Sequence, residues 1–311
     1  MARIGSTDLE VGPFTLGGNV FGWTSDLDES FAVLDAYTAA GGNFVDSADA
    51  YSAWVEGNSG GESETILGAW LKARGRRDEV VVATKAGAHP KFRGLGAATV
   101  KAAAEESLRR LQTDYIDLYY AHFDDPDTPV AETLGALDEL VREGKVRHIA
   151  ASNFTAERLA ESLAHSDAEG LARYVAFQPH YNLLSRDTYE GEREDVVKRN
   201  GLSALPYSSL ASGFLTGKYR PGQKVQSARA GKAGQYLESE RGQKVLAALD
   251  TVAEETGAQH STVALAWLNA QPTVIAPIAS ARTVEQLPAL LALADLELTD
   301  GQVALLDEAS A

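Results

Sequence analysis

YIDLYYAHFDDPDTPVAETLGALDELVREGKVRHIAASNF, Tyr115 to Phe154, is the stretch on which the reading of the fold turns. It opens on an apolar run, YIDLYYA (115–121), and closes on another, VRHIAA (146–151). Between them Val130, Leu134, Leu137 and Val141 fall on one face at helical spacing. Near-continuous apolar runs of this length suit strands buried on both faces, so the stretch reads as strand, amphipathic helix, strand. The same alternation extends in both directions, through FTLGG (14–18), NFV (43–45), VVVAT (80–84), YVAFQ (174–178), LSALPY (202–207) and TVIAPI (273–278). In ATVKAAAEESLRRL, Val100, Ala104, Leu108 and Leu111 again share a helical face. Eight such units in sequence predict a parallel sheet closed into a (β/α)8 TIM barrel, one domain over residues 1–311. The leading ARIGSTDLEVGPF is expected to form a hairpin across the bottom of that barrel.

Composition narrows the function. A chain of 311 residues with 44% hydrophobic content can bury a large core. Its net charge of -16 argues against nucleic acid and against an anionic membrane surface, both of which require a basic face. With no cysteine, disulfides, thiolate catalysis and cysteine-ligated metals are excluded. The six histidines are scattered, with no H-E-x-x-H pattern, and no metal site is expected. The N-terminus has no apolar signal region and no stretch is long enough to span a bilayer, so a soluble cytoplasmic protein without a membrane partner is expected.

Barrels of this kind place their chemistry at the C-terminal ends of the strands. Reading just past each run gives Asp46, Lys85, His122, the pair Ser152–Asn153, Gln178, Tyr207, and Ser280 with Arg282. Each alone has an ordinary explanation: an aspartate caps a turn, a lysine is solvated, a histidine is structural. Their coincidence at one rim is what those explanations fail to cover. With Tyr51, five residues beyond Asp46, the rim holds an aspartate, a tyrosine, a lysine and a histidine. A free tyrosine titrates near ~10, too high for efficient proton exchange at neutral pH, and a nearby ammonium is expected to lower it. Lys85 supplies that ammonium, Asp46 orients it, and His122 polarises a carbonyl oxygen. Such a set protonates an alkoxide as it forms, which suits carbonyl reduction by hydride. Side chains provide no hydride, so a cofactor is implied.

These residues, in this order, resemble the aldo-keto reductase superfamily over almost the whole chain. GGNFVDSADAY carries Asp46 and Tyr51, GGESETILGAWL the helix after them, VVVATKAG carries Lys85, and SLRRLQTDYIDLYYAHFDDPDTPVAETLGALDELVREGKVRHIAASNF the central block. FQPHYNLLSR, LPYSSLASGFLTGKY and PIASARTVEQL follow in family order. The resemblance implies an NADP-dependent oxidoreductase acting on small aldehydes, ketones or alcohols, with Tyr51 as the acid and Asp46, Lys85 and His122 completing a tetrad. It further implies that Ser152, Asn153 and Gln178 hold the nicotinamide carboxamide and that Tyr207 packs near its ring. Ser208, Leu210, Gly213 and Lys218 would line the pyrophosphate, and Ser280, Arg282 and Gln286 would meet the adenosine end. Arg282 suits a 2′-phosphate, which favours NADPH over NADH. The Gly-, Lys- and Arg-rich segment 217–243 would be a long loop over the cofactor site. One departure stands out: where many relatives carry Glu and Asn against adenine, this chain has Pro288, Ala289 and Leu290.

Three further readings are weighed beside this one. Trp23, Trp54 and Phe123 lie just beyond strand ends and are either core and surface aromatics or the wall of an apolar substrate pocket. Gly57 to Gly61 fits the G-x-S-x-G serine-hydrolase pattern, but no strand leads directly into Ser59; Ser59 and Glu62 read better as a capping box. A nucleotide-sensing regulatory subunit, as in potassium-channel β subunits that resemble the family, is the alternative to an enzyme.

Overall fold

The computed structural model describes residues 1–311, apart from the side chain of Lys232. Its central sheet has eight strands: β1 (Thr15–Gly17), β2 (Phe44–Asp46), β3 (Val81–Ala86), β4 (Ile116–Ala121), β5 (Val146–Ser152), β6 (Tyr174–Gln178), β7 (Ser203–Ala204) and β8 (Ile278–Ala279). From β1 to β7 each strand pairs in parallel with the next in sequence, and β8 pairs in parallel with β1. The ring closes between β7 and the chain entering β8, where Ala204 N donates to Thr273 O and Ile278 N to Pro206 O, each at 2.8 Å. The chain is a (β/α)8 barrel, as the alternation of runs predicts.

The last two runs are shorter as strands than as apolar stretches. LSALPY pairs as a strand at Ser203–Ala204 and again past Pro206 by a single bridge from Tyr207 to His180, and TVIAPI contributes one bridge, Ala204 to Val274, before Ile278–Ala279. Pro206 and Pro277 carry no N–H with which to extend either ladder. Earlier strands run further than the apolar pattern. Asp46 ends β2, Lys85 lies inside β3 and Ser152 ends β5, so these polar residues are held by sheet backbone and not by loops.

Helices α1 (Leu27–Ala39), α2 (Glu62–Arg74), α3 (Ala97–Leu111), α4 (Val130–Arg142), α5 (Ala156–Glu169) and α6 (Glu192–Arg199) follow the first six strands in turn. Segment 217–243 is not one loop. After an irregular stretch it becomes α7 (Ala230–Glu238), and α8 (Glu240–Thr256) begins before it ends. Ala233 and Tyr236 of α7 pack against the barrel core, and the Tyr236 ring lies 5.6 Å from that of Phe214. That packing outweighs the helix-weakening effect of Gly231 and Gly234. Helices α9 (His260–Asn269), α10 (Leu287–Leu291) and α11 (Asp300–Ser310) complete the shell. No helix among the described residues is long and apolar enough to cross a membrane.

The core has two compartments. Inside the barrel, Phe44, Ala83, Leu118, Tyr120, Ala150, Ala176, Leu205 and Ala276 pack under Ile4, Leu9 and Val11 of the N-terminal hairpin, whose strands Ala2–Arg3 and Glu10–Val11 pair antiparallel. Outside it, Val45, Val82, Tyr119, Ile149 and Phe177 pack against the helices. Strand alternation divides the two sets. In β4, Tyr119 faces the helical shell and Tyr120 the barrel interior.

Helices α2 and α3 approach closely at Gly68, where an added Cβ would lie 2.1 Å from Arg110 O. Gly68→Ala is therefore expected to destabilise the fold by about 1–3 kcal/mol despite alanine's better helix propensity. Urea unfolding of the two proteins, with an unchanged m-value, measures this.

Candidate active site

At the C-terminal mouth of the barrel, Lys85 extends its ammonium group to three oxygens. Nζ donates to Asp46 Oδ2 at 2.7 Å, to Ser47 O at 2.6 Å and to Tyr51 OH at 3.0 Å. Tyr51 OH itself donates to Asp46 Oδ2 at 3.1 Å. Lys85 and Asp46 are buried to 0% and 1% exposure. Strand β2 delivers Asp46, β3 delivers Lys85, and the short loop after β2 carries Tyr51. His122 follows β4, with its ring centroid 6.3 Å from that of Tyr51. The structure brings the four residues of the expected tetrad together.

A hydrogen-bond chain links the tetrad to the strands beyond it. Gln178 Nε2 donates to Asp46 Oδ1 at 2.9 Å, and Ser152 Oγ donates to Gln178 O at 2.9 Å. Asn153 Nδ2 donates to Ser152 Oγ at 3.0 Å and to His122 O at 2.9 Å, while Asn153 Oδ1 accepts from Tyr207 OH at 2.7 Å. Asn153 sits at a φ of 58°, a left-handed conformation that asparagine tolerates and that turns its side chain back over the mouth. Each of these residues is thus fixed in place by the others.

Past β7 the backbone turns left-handed repeatedly, with φ of 56° at Ser208, 45° at Ala211, 58° at Ser212 and 91° at Gly213. Residues of this kind between ordinary ones form concave nests of N–H groups suited to phosphate oxygens. Leu210 sits within this turn, its carbonyl accepting from Gly213 N at 2.8 Å. Around it stand Lys218, Arg282 and Arg229. Partial desolvation and then the charge of Arg282 lower the Lys218 ammonium, and the same two causes lead in lowering Arg229. None of the three forms an ion pair with a carboxylate among the described residues. Three unpaired cations crowded beside a backbone nest, in a chain of net charge -16, fit the diphosphate of a dinucleotide. At the far end Ser280 Oγ donates to Asn19 Oδ1 at 2.6 Å, and Gln286 Oε1 accepts from Arg282 N at 2.9 Å. Pro288 occupies the first turn of α10, where its missing N–H costs nothing.

The electrostatics correct one expectation. Burial, followed by the charge of Asp46, pushes the Tyr51 phenol well above its ordinary value, so the lowering expected from Lys85 does not prevail. Tyr51 is a neutral phenol, the form that donates a proton. Burial pulls Lys85 down, against the opposing pull of Asp46. Burial and then Lys85 hold His122 well below its ordinary value, and its Nδ1 is buried without a partner. His122 is therefore a neutral imidazole.

Aromatic rings wall the entrance. Trp54 and Phe123 are 53% and 49% exposed. The Trp54 ring meets Tyr51 at 6.2 Å and Trp23 edge-on at 5.6 Å, and Phe123 stacks on His122 at 4.6 Å. Sequence reasoning missed Arg229, whose guanidinium lies 5.1 Å from the Trp23 ring. It falls in a glycine-rich segment with no periodicity to mark it. Ser59 is not on a strand–helix elbow. Nor does its side chain cap α2: Gly61 is the N-cap, and Glu62 accepts from Ser59 N and Gly60 N, so only half of the expected capping box exists.

Fold and site together describe a (β/α)8 barrel oxidoreductase. The chain belongs to the aldo/keto reductase family, whose sequence model matches residues 11–311. It is similar to Protein tas of Escherichia coli (strain K12), 32% identical over a gapped alignment of 330 positions that covers 97% of this chain and 95% of that protein. It is 31% identical to the aryl-alcohol dehydrogenase [NADP(+)] of Phanerodontia chrysosporium, over 96% of this chain and 83% of that one. A probable voltage-gated potassium channel subunit beta of Oryza sativa subsp. japonica is 32% identical over 92% of this chain and 88% of its own length. Proteins of the family act on small-molecule carbonyls with nicotinamide cofactors.

The depressed basicity of His122 gives a direct check. Its ring is expected to keep the neutral nitrogen pattern in long-range ¹H–¹⁵N spectra between about pH 8 and pH 6, where an ordinary imidazole gains its proton.

Proposed function

We propose that this chain is an NADPH-dependent reductase of aldehydes or ketones, able to run in reverse as an alcohol dehydrogenase, with Tyr51 as its proton donor. The observation that carries the reading is the Lys85–Tyr51–Asp46 contact set at the barrel mouth. A bound nicotinamide cofactor would provide the hydride that the carbonyl carbon needs and that no side chain here can give. Tyr51 OH gives its proton to the oxygen as the carbon–oxygen double bond becomes single. Lys85, 3.0 Å away, stabilises the tyrosinate left behind. Asp46 and Ser47 O keep Lys85 charged and aimed. Neutral His122 directs an N–H at the same oxygen and polarises it before transfer. Ser152, Asn153, Gln178 and Tyr207 would hold the nicotinamide end. The nest at Ser208 to Gly213, with Leu210, Lys218 and Arg229, would hold the diphosphate, and Ser280, Arg282 and Gln286 would meet the adenosine end. Arg282 favours a 2′-phosphate because a planar guanidinium pairs with its oxygens. The exposed rings of Trp54 and Phe123 on either side of the proton donors favour a flat, apolar carbonyl compound. The similarity to an aryl-alcohol dehydrogenase supports that choice.

The similarity to a potassium-channel β subunit favours a second reading, a nucleotide-binding subunit with little turnover. Turnover separates the two. Tyr51→Phe is expected to lower kcat for aldehyde reduction by about 10²- to 10⁴-fold while NADPH still binds, as followed by absorbance and by fluorescence quenching. Failure of the wild-type protein to reduce any of a broad aldehyde and ketone panel, with NADPH bound, would support the subunit reading instead. Arg282→Gln is expected to weaken NADPH binding about 10- to 100-fold with little change for NADH, the worth of one charge-assisted contact. Trp54→Ala is expected to raise KM for an aryl aldehyde more than for a short aliphatic one, measured side by side.

A further inference from the structure

Behind the tetrad, on the helical side of β3 and β4, lies a second buried polar cluster that the proposed chemistry does not use. Its centre is Asp49, three residues after Asp46 and fully buried. Asp49 N donates to Lys85 O at 3.2 Å, so its backbone is tied to the strand residue that bears the catalytic ammonium. Both Asp49 carboxyl oxygens are buried without a hydrogen-bond partner, as is the hydroxyl of Tyr119 on β4. From α2 comes Glu64, fully buried, accepting from Thr84 Oγ1 of β3 at 2.5 Å and pairing with Arg110 Nε of α3 at 2.6 Å. The turn after β3 adds His89, whose Nδ1 is occupied by Lys91 N at 3.0 Å. Gly60 is wedged between the two sides, and a Cβ there would sit 2.9 Å from His89 Nε2 and 3.2 Å from Asp49 O.

The cluster and the tetrad together hold three buried carboxyl groups, Asp46, Asp49 and Glu64, against two cations, Lys85 and Arg110. Asp46 has Lys85, Gln178 and Tyr51 as donors, and Glu64 has Arg110 and Thr84. Asp49 has no side-chain donor, and the neighbouring Ala50 N–H, the one backbone group near its carboxyl, does not reach it in hydrogen-bond geometry. A buried carboxylate so poorly served is far costlier than a neutral acid in the same place, so a single proton balances the group and belongs on Asp49. We infer that Asp49 is a neutral carboxylic acid at pH 7 and a positioning residue for the reaction, whose neutrality leaves the field of Lys85 directed at Tyr51. Desolvation and then the charge of Glu64 push the Asp49 carboxyl up to about 8, in keeping with that placement. When Asp49 ionises, its charge draws on the Lys85 ammonium from behind, the tyrosinate is less stabilised, and reduction slows.

This inference rests on the reading of Tyr51 and Lys85 as the proton-donating pair, and its test has readouts that do not depend on turnover. In the wild-type protein, kcat for aldehyde reduction is expected to fall through an alkaline limb centred near pH 8. In Asp49→Asn, a neutral isostere, the limb moves up by about one pH unit or more, with kcat below it changed by no more than about threefold. Infrared difference spectra of ¹³C-aspartate-labelled protein between acid and alkaline pH are expected to show one buried protonated aspartic acid, absent in the variant. Stability supplies the third readout. Because the folded protein keeps a proton that the unfolded chain releases near ~3.9, the wild type loses stability relative to Asp49→Asn as pH rises from there to about 8. Asp49→Ser serves as the second neutral variant if the first does not fold. An alkaline limb that stays in place in either variant overturns the positioning role. Absence of the protonated-acid band, with no pH-dependent stability difference, overturns the neutral acid. If no carbonyl compound is reduced at all, the proposed reaction fails, while the band and the stability difference still decide the state of Asp49.

Discussion

The ammonium of Lys85, fully buried and held between Asp46 and Ser47 O, is the constraint on which the rest of the site depends. Two opposite charges in a dry interior repay their desolvation only when the geometry is good and every remaining hydrogen-bonding position is filled. The barrel meets both conditions through its strands. The parallel register sets Asp46 opposite Ala83 and Lys85 opposite Tyr120, so both charged groups rest on rigid backbone. Small residues in the interior, Ala83, Ala150, Ala176 and Ala276, leave room for the long lysine side chain. The rings of Tyr51 and Tyr120, 4.7 Å and 5.7 Å from its ammonium, complete the enclosure.

A second constraint comes from overall charge. A chain of net charge -16 repels polyanions at long range. An anionic ligand site on it must therefore be built locally, from cations not neutralised by the many carboxylates nearby. Lys218, Arg229 and Arg282 are such cations, whereas Arg220, two residues from Lys218, is fully engaged by Asp250 at 2.6 and 2.7 Å. That pair anchors the start of the segment that carries Arg229 over the mouth. One arginine thus serves the backbone and the other stays without a carboxylate partner among the described residues.

Much of this was legible in the sequence because barrel strands are buried on both faces and their polar residues gather at one end. The runs marked the strands, and the residues just past them marked the rim. What stayed hidden depends on contacts between distant segments. Strands β7 and β8 are cut short by prolines whose effect appears only when a partner needs an N–H. Helix α7 forms in a glycine-containing stretch because Tyr236 finds Phe214. Arg229 matters because that helix and the loop before it fold back over Trp23. The isolation of the Asp49 carboxyl is likewise invisible in the sequence, because it depends on Arg110 of α3 pairing with Glu64 of α2 where the two helices meet at Gly68.

The same reasoning explains why the expectation for Tyr51 was inverted. A cation beside a phenol lowers its pKa, but burial and a carboxylate raise it, and here the latter two prevail. For a proton donor this is consistent with function and not opposed to it. A tyrosine whose pKa was strongly lowered in the resting site would have lost its proton before a substrate arrived. In the proposed reaction, Tyr51 held as a phenol would keep its proton until the substrate oxygen gains electron density. The Lys85 ammonium, which stabilises tyrosinate far more than tyrosine, would on that reading act mainly as the proton leaves. An interaction that strengthens along the reaction coordinate lowers the barrier, whereas one already spent in the resting state does not.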